Sequence, residues 1–154
     1  KVTDELVEVI LGIIISTGIV SNFVQVDYTT GLAHAVYNGF TVLPEIEKYH
    51  HLHGEVVSYG ILILLTVDKN YATEEKDRKI AEEKRNEIFR FNRAMGLPTK
   101  LSDMNCRIDQ IEKIADKALQ GIDVRIYPYE VTKQMICEAI LEMEEYNQKT
   151  DIQQ

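Results

Sequence analysis

The sequence is poor in cysteine: it has only Cys106 and Cys137 in 154 residues, and these two do not form a C-x-x-C pair. A disulfide framework needs several cysteines at regular spacing, and a thiolate zinc site needs them in close pairs. The composition therefore excludes both kinds of structure. We expect two reduced thiols and a cytoplasmic location.

Positive charge and long apolar runs are also scarce. Lys and Arg number 17 against 25 Asp and Glu, which gives a formal net charge of -8. Nucleic-acid binding depends on neutralising phosphates with basic side chains, so nucleic acid is not an expected partner. The apolar runs 9–20 and 60–67 are too short or too interrupted to cross a bilayer, and acidic residues near the first position do not fit a secretory leader. We expect no membrane partner either.

The hydrophobic pattern predicts an all-α fold, with one domain over residues 1–154. Segments 6–17, 30–43 and 55–67 are apolar on nearly all sides, which is typical of buried helices. Three further helices are expected over 73–93, 108–119 and 132–146. Thr73 is placed to cap the first of these and Gly96 to end it. Only 23–28 has extended character, and this segment is short and isolated.

The helix predicted over 73–93 has alternating charges, which are typical of a solvent-exposed surface. Arg85 is one of these charged residues and is expected to face solvent. The apolar stripe of this helix consists of Ile80, Ala81, Ile88 and Phe89, with Ala94 further along. We expect that stripe to face the core.

All four histidines lie within twenty residues, at His34, His50, His51 and His53. His34 falls on a helix between small residues, and His53 precedes Gly54 where another helix begins. Two imidazoles from separate helices can bind one cation, with a carboxylate as third ligand and one position open for substrate. Spacing alone leaves hydrogen-bonded core histidines as the alternative. The adjacent His50 and His51 are expected to be solvated loop residues and not metal ligands, with one of them at the entrance of a substrate site as the alternative.

The sequence around the histidines contains two long motifs that match the patterns of a known family. GLAHAVYNGFTVL, followed by YHHLHGEVVSYG, resembles the metal-binding region of glycerol dehydrogenase in the iron-containing alcohol dehydrogenase superfamily, where the usual patterns are GxAHAxHNGxT and HHLxHGExVAxG. GLPTKLSDM at 96–104 is similar to a GLP segment of the same family. The resemblance implies the multi-helix C-terminal domain of a dehydroquinate synthase-like fold, without the N-terminal nucleotide-binding α/β domain.

The resemblance also implies a function and a metal site. Family members hold zinc or iron with one aspartate and two histidines, and these histidines correspond to His34 and His53 here. The metal polarises the alcohol oxygen while hydride passes to NAD(P). The implied partners are a small alcohol or a 2-hydroxy acid, and the implied assembly is a homo-oligomer. No catalytic residue beyond the metal site is assigned.

The chain departs from the family pattern at Tyr37, where many relatives have a second histidine. A tyrosine followed by NGFTVLPE is similar to a branch that reduces 2-oxo acids, so a 2-hydroxycarboxylate dehydrogenase is the alternative to a polyol dehydrogenase. A phenol does not exchange protons near neutral pH as readily as an imidazole does. A non-enzymatic helical interaction module is the second alternative.

The cofactor-binding residues remain unassigned, because no glycine-rich nucleotide-binding turn occurs in these residues. In relatives, the aspartate ligand lies in a GxGD segment well before the histidines, which would place it upstream of Lys1. We therefore expect this chain to be the C-terminal, metal-binding portion of a longer dehydrogenase. We expect it to be inactive by itself.

Overall fold

The structure is a computed structural model that describes residues 2–23, 31–125 and 127–152, apart from the side chains of residues 20 and 21. It divides the chain into two compact units, Lys1–Thr30 and Gly31–Gln154. No strand occurs among the described residues, and the predicted all-α fold is confirmed. The extended segment considered for 23–28 lies outside the described residues, except for Phe23, which ends a helix. That residues 1–154 form one domain stays a prediction.

In its described residues, the first unit is a continuous helical segment from residue 4 to residue 23. It consists of α1 (Asp4–Leu11), a π-helical turn (Gly12–Ser16) and α2 (Thr17–Phe23). Thr3 caps its start by accepting a hydrogen bond from the backbone N–H of Leu6 at 3.3 Å. Its apolar side chains, among them Ile13 and Ile14, are exposed, contrary to the burial predicted for 6–17. A single helix with apolar side chains on all sides cannot bury them against itself, so they stay exposed in this unit.

The second unit contains six α-helices and three short 3₁₀ turns in its described residues. The helices are α3 (Leu32–Phe40), α4 (Pro44–Lys48), α5 (His53–Tyr71), α6 (Glu75–Met95), α7 (Ile111–Ala118) and α8 (Lys133–Ile152), and the 3₁₀ turns are Leu101–Met104, Ile108–Gln110 and Ile122–Val124. The short helix α4, which has Pro44 in its first turn, was not predicted. No helix among the described residues is long and apolar enough to span a membrane.

Helix α5 is the centre of the second unit and packs against α3, α6 and α8. Its buried face includes Tyr59 and Leu62, and Phe40 of α3 meets Tyr59 edge-on, with ring centroids 5.7 Å apart. Helices α3 and α5 approach so closely at Gly60 that a Cβ there would lie 3.1 Å from the carbonyl carbon of Ala33 and closer still to its oxygen. Only glycine allows the two backbones to come this close.

Helix α6 differs from its prediction in two ways. It begins at Glu75 with Glu74 as N-cap, not at Thr73, because the guanidinium of Arg78 donates hydrogen bonds to the carbonyls of residues 72 and 73 and holds them in the turn. Gly96 ends the helix in the left-handed conformation at φ 71°, as expected. Arg85, predicted to face solvent, is only 4% exposed, and its Nη1 donates to Glu142 of α8 at 2.6 Å.

The predicted apolar stripe of α6 is correct only in part. Ala81 and Phe89 are buried, but Ile80 is 45% exposed. The guanidinium of Arg85 lies 4.6 Å from the ring centroid of Tyr146, so an ion-paired arginine also occupies the buried face of this helix. Burial of its charge is compensated by Glu142 and by the aromatic ring.

Cys106 is buried, and that burial raises the pKa of its thiol to about 12. Only the thiolate reacts with alkylating agents, and at pH 8 about one Cys106 in ten thousand is a thiolate. We expect iodoacetamide to leave Cys106 unmodified in the folded chain and to modify it fully in guanidinium chloride. Peptide mass spectrometry measures both. Rapid labelling of Cys106 in the folded chain, at the rate of a free thiol, would contradict the burial described here.

Candidate metal site

Helix α3 positions His34 near its beginning. The helix starts after Gly31 and buries Leu32 and Val36 against the core, while His34 stays half-buried. Tyr37 and Asn38 follow His34 by three and four residues, so the three side chains share one face of the helix. His34 is therefore held on a helix that the core fixes in place.

His53 is the first residue of α5, as the sequence predicts for a helix entrance. The helix start is stabilised by Glu55, whose Oε2 accepts a hydrogen bond from the backbone N–H of Leu52 at 3.0 Å. Seven residues further on, Gly60 lies on the same face of α5 and contacts the backbone of Ala33. The packing that fixes α5 against α3 therefore also fixes His53 relative to His34.

The two imidazoles lie next to each other. The ring centroids of His34 and His53 are 5.4 Å apart, with an angle of 46° between the ring planes. Tyr37 packs edge-on against His53, with centroids 4.3 Å apart and an interplanar angle of 70°. His53 is exposed, so the pair is accessible from solvent.

The surroundings favour the neutral form of His34. Burial lowers the pKa of its imidazole, and the neighbouring His53 lowers that pKa further. Asp123 acts in the opposite direction, because its negative charge favours the imidazolium. The net shift is downward, and the neutral imidazole is the form that binds metal ions.

The other two histidines lie outside this pair. His50 is exposed, as expected, and has a left-handed backbone with φ of 58°. The prediction of a solvated loop residue is wrong for His51, because its side chain is largely buried and its Nε2 lies 3.0 Å from Oδ1 of Asn105. Its Nδ1 is also 3.7 Å from Oε2 of Glu55.

No third histidine, cysteine, aspartate or glutamate completes a metal-binding set within residues 2–23, 31–125 and 127–152. The nearby residue that sequence reasoning missed is Asp123, in the 3₁₀ turn Ile122–Val124. It is 6% exposed and accepts a hydrogen bond at Oδ2 from Nδ2 of Asn38 at 3.1 Å. Its position after Gly121 indicated only a turn, since it lies 85 residues from Asn38 in sequence.

A cleft of about 560 Å³ adjoins the pair at Tyr37. Its other lining residues include Thr41, Leu43 and Pro44 from the segment after α3, together with His50. The lining combines apolar side chains with several polar groups. The cleft has room for a small polar molecule.

Comparison with known proteins points to oxidoreductases. No protein-family model matches the chain. It is 29% identical over 138 residues to an uncharacterised oxidoreductase of Synechocystis sp., which covers 87% of this chain and 34% of that protein. It is 34% identical over 114 residues to a glycerol dehydrogenase of Citrobacter freundii, which covers 71% of this chain and 28% of the enzyme.

The solved structure of a probable glycerol dehydrogenase from Sinorhizobium meliloti 1021 has the same fold, with a TM-score of 0.62 and 29% identity over 77% of this chain. The chain is thus a relative of the glycerol dehydrogenases and has the fold of their C-terminal helical domain. The resemblance found in the sequence is confirmed. The chain spans about a third or less of the length of the relatives it matches.

Proposed function

We propose that this chain is the metal-binding portion of an NAD(P)-dependent alcohol dehydrogenase whose substrate is a small polyol such as glycerol. The observation that carries the proposal is the 5.4 Å separation of the His34 and His53 rings, which come from two helices and meet at an accessible surface. The kinship with glycerol dehydrogenases supports the substrate class.

The ring separation fits a shared divalent ion. A zinc–nitrogen bond of about 2.0–2.1 Å puts each imidazole centre about 3.2 Å from the ion, and at a tetrahedral angle two such centres are about 5.2 Å apart. The observed 5.4 Å agrees with that value. Imidazole is a common ligand of both zinc and iron, so both metals remain within the proposal.

In this function His34 and His53 would hold the metal. The third ligand would be a carboxylate that is not among the described residues. The metal, when bound, supplies a Lewis acid that stabilises negative charge on the substrate oxygen. Tyr37 keeps the His53 ring in place by edge-on packing. The half-buried position of His34 limits the access of water to its side of the site.

Three expectations accompany this proposal. The two cysteines are free thiols, which supports a reducing, cytoplasmic environment. Hydride transfer needs a nicotinamide held beside the substrate, and no residue of this chain is assigned to that task. We therefore expect the 154 residues to bind metal without turnover, and we expect the active protein to be a homo-oligomer.

A 2-hydroxycarboxylate dehydrogenase is the second candidate function. The chain is 41% identical over 63 residues to hydroxycarboxylate dehydrogenase A of Escherichia coli K12, although this match covers 41% of the chain. The test uses a protein that joins this sequence to a nucleotide-binding domain. The rate of NAD(P) reduction is measured with glycerol and with a 2-hydroxy acid, and the two candidate functions predict different preferred substrates. A higher kcat/KM for glycerol supports the polyol dehydrogenase, and a higher kcat/KM for a 2-hydroxy acid supports the alternative.

The direct test measures metal content and turnover together. The chain is stripped with EDTA, reloaded with ZnCl₂ and dialysed, and then mixed with NAD and glycerol while absorbance at 340 nm is followed. We expect about one zinc per chain by mass spectrometry and no sustained formation of NADH. Absence of bound metal would contradict the proposed site, and steady turnover would contradict the expectation that these residues alone are inactive.

A further inference from the structure

The exposed large apolar side chains of α6 lie on one stripe of the helix. They are Ile80, which is 45% exposed, Phe91 at 55% and Met95 at 63%. At 3.6 residues per turn their directions fall within about 60° of one another, roughly a third of the circumference from the buried face. Apart from Ala94, every other exposed residue of α6 is charged. Apolar surface that is gathered in one place on an otherwise charged helix is typical of an interaction site.

Four residues on this stripe have the spacing of a coiled-coil seam. They are Ile80, Lys84, Glu87 and Phe91, which we call the α6 seam, and they follow one another at intervals of four, three and four residues. Its two ends are apolar, and its centre is an ion pair in which Nζ of Lys84 lies 2.9 Å from Oε2 of Glu87. Both charged side chains are well exposed, at 60% and 61%. Such a seam is the surface through which one helix packs on another.

The order of residues along the α6 seam is complementary to itself in the antiparallel direction. When two copies of α6 run in opposite directions about a two-fold axis at the middle of the seam, Ile80 of each copy faces Phe91 of the other. The same register places Lys84 of each copy opposite Glu87 of the other, so every charge meets its opposite. A parallel pair would place each of these charges opposite its own kind, which is unfavourable.

We propose that the α6 seam is a dimerisation surface and that its partner is the α6 seam of a second copy of this chain, packed antiparallel. Charge complementarity identifies the occupant, because an identical helix supplies both the apolar residues and the opposite charges at the required positions. Helix α6 has 21 residues, so the contact is about 31 Å long and small for a stable interface. The dimer is therefore weak, with a dissociation constant in the micromolar range. This inference gives the expected homo-oligomer a definite surface and does not depend on the metal site.

Sedimentation of the unmodified chain between about 1 μM and about 1 mM measures the association. We expect the mass to rise from the 17.7 kDa of one chain toward twice that value. Phe91→Glu places a charge in the seam of both copies, and we expect the dissociation constant to increase at least about 100-fold. Leu141→Glu is the matched control. Leu141 is an apolar residue of α8 that is 42% exposed, and its replacement should leave the dissociation constant unchanged.

Reversal of the central charges tests the register of the two helices. Lys84→Glu brings a negative charge opposite Glu87 of the other copy, and Glu87→Lys brings a positive charge opposite Lys84. Each single change should therefore raise the dissociation constant about 10-fold. The double variant, Lys84→Glu with Glu87→Lys, restores opposite charges across the interface and should recover the affinity of the unmodified chain. Circular dichroism verifies that all three variants remain helical.

A disulfide cross-link tests the antiparallel direction. The background is Cys137→Ser, because Cys106 is buried whereas Cys137 is only partly buried. An Ile80→Cys chain is mixed with a Phe91→Cys chain at about 1 mM and treated with a mild oxidant, and we expect a covalent dimer in the mixture. Ile80→Cys alone should not cross-link, because the two copies of position 80 lie about 16 Å apart along the helix axis, beyond the reach of a disulfide.

Several results would overturn the proposal. They are a chain that keeps the mass of one copy at the highest concentration, equal association by Phe91→Glu and the unmodified chain, equal losses in Phe91→Glu and Leu141→Glu, no recovery in the double charge variant, and a cross-link in Ile80→Cys alone that is as efficient as in the mixture. Association that Phe91→Glu leaves unchanged would show that another surface, such as the exposed apolar helix at 4–23, joins the copies. The histidine pair and its proposed function are tested separately, because none of these measurements uses metal.

Discussion

Replacing Gly60 by alanine is expected to lower the free energy of unfolding by about 3 kcal/mol, the upper end of the usual cost of overpacking. The added Cβ would collide with the carbonyl group of Ala33, which is backbone on α3 and cannot rotate away as a flexible side chain would. Relief requires α3 and α5 to separate. For a chain of this length the melting temperature should fall by about 6–12 °C.

Gly54→Ala on the same helix is the matched control for this prediction. Gly54 lies in the first turn of α5, and no atom lies within 4 Å of the position of its Cβ. Alanine is the better helix former, so this change should be neutral or should stabilise the chain by up to about 1 kcal/mol. Chemical unfolding measures both variants. A Gly60→Ala chain as stable as the unmodified one would show that α3 and α5 do not approach as described.

Substituting alanine for either His34 or His53 is expected to reduce zinc affinity at least about 100-fold, since each change removes one of the two imidazole donors of the proposed site. The two rings belong to separate helices, α3 and α5. Calorimetry or competition with a chromogenic chelator measures the affinity. The double variant should bind no more strongly than the weaker single one.

His50→Asn is the control for these two changes. His50 is exposed and has a left-handed backbone that asparagine accepts with little cost, so its replacement should leave both fold and zinc affinity unchanged. Circular dichroism confirms that each variant remains helical. A large loss of zinc affinity in His50→Asn, with no loss in His34→Ala, would show that the metal binds elsewhere among the four histidines.

The longer helices of the second unit were predictable, within a few residues at their ends, because their patterns are local. Small residues around His34, a glycine after His53 and a glycine at position 96 each determine a helix or its end over a few neighbours in sequence. The closeness of His34 and His53 followed from the resemblance and not from spacing, because spacing does not determine how α3 and α5 pack together.

Partners distant in sequence account for what could not be predicted. The local sequence predicts that Arg85 is exposed to solvent. In the structure its hydrogen bond is accepted by Glu142, which is 57 residues away. The local sequence around Asp123 indicates only a turn. In the structure Asn38 donates a hydrogen bond to its carboxylate. A charged residue can be buried when its partner comes from another helix, and only the packed structure shows which helices meet.

The most direct test of the metal site is anomalous scattering from a crystal of the chain soaked in ZnCl₂ and measured at the zinc absorption edge. We expect one strong peak between the two rings, within about 2.1 Å of one nitrogen of His34 and one nitrogen of His53. The peak should vanish in crystals of His34→Ala. A fully loaded crystal with no peak at this pair, or with its strongest peak bound to other side chains, would contradict the account.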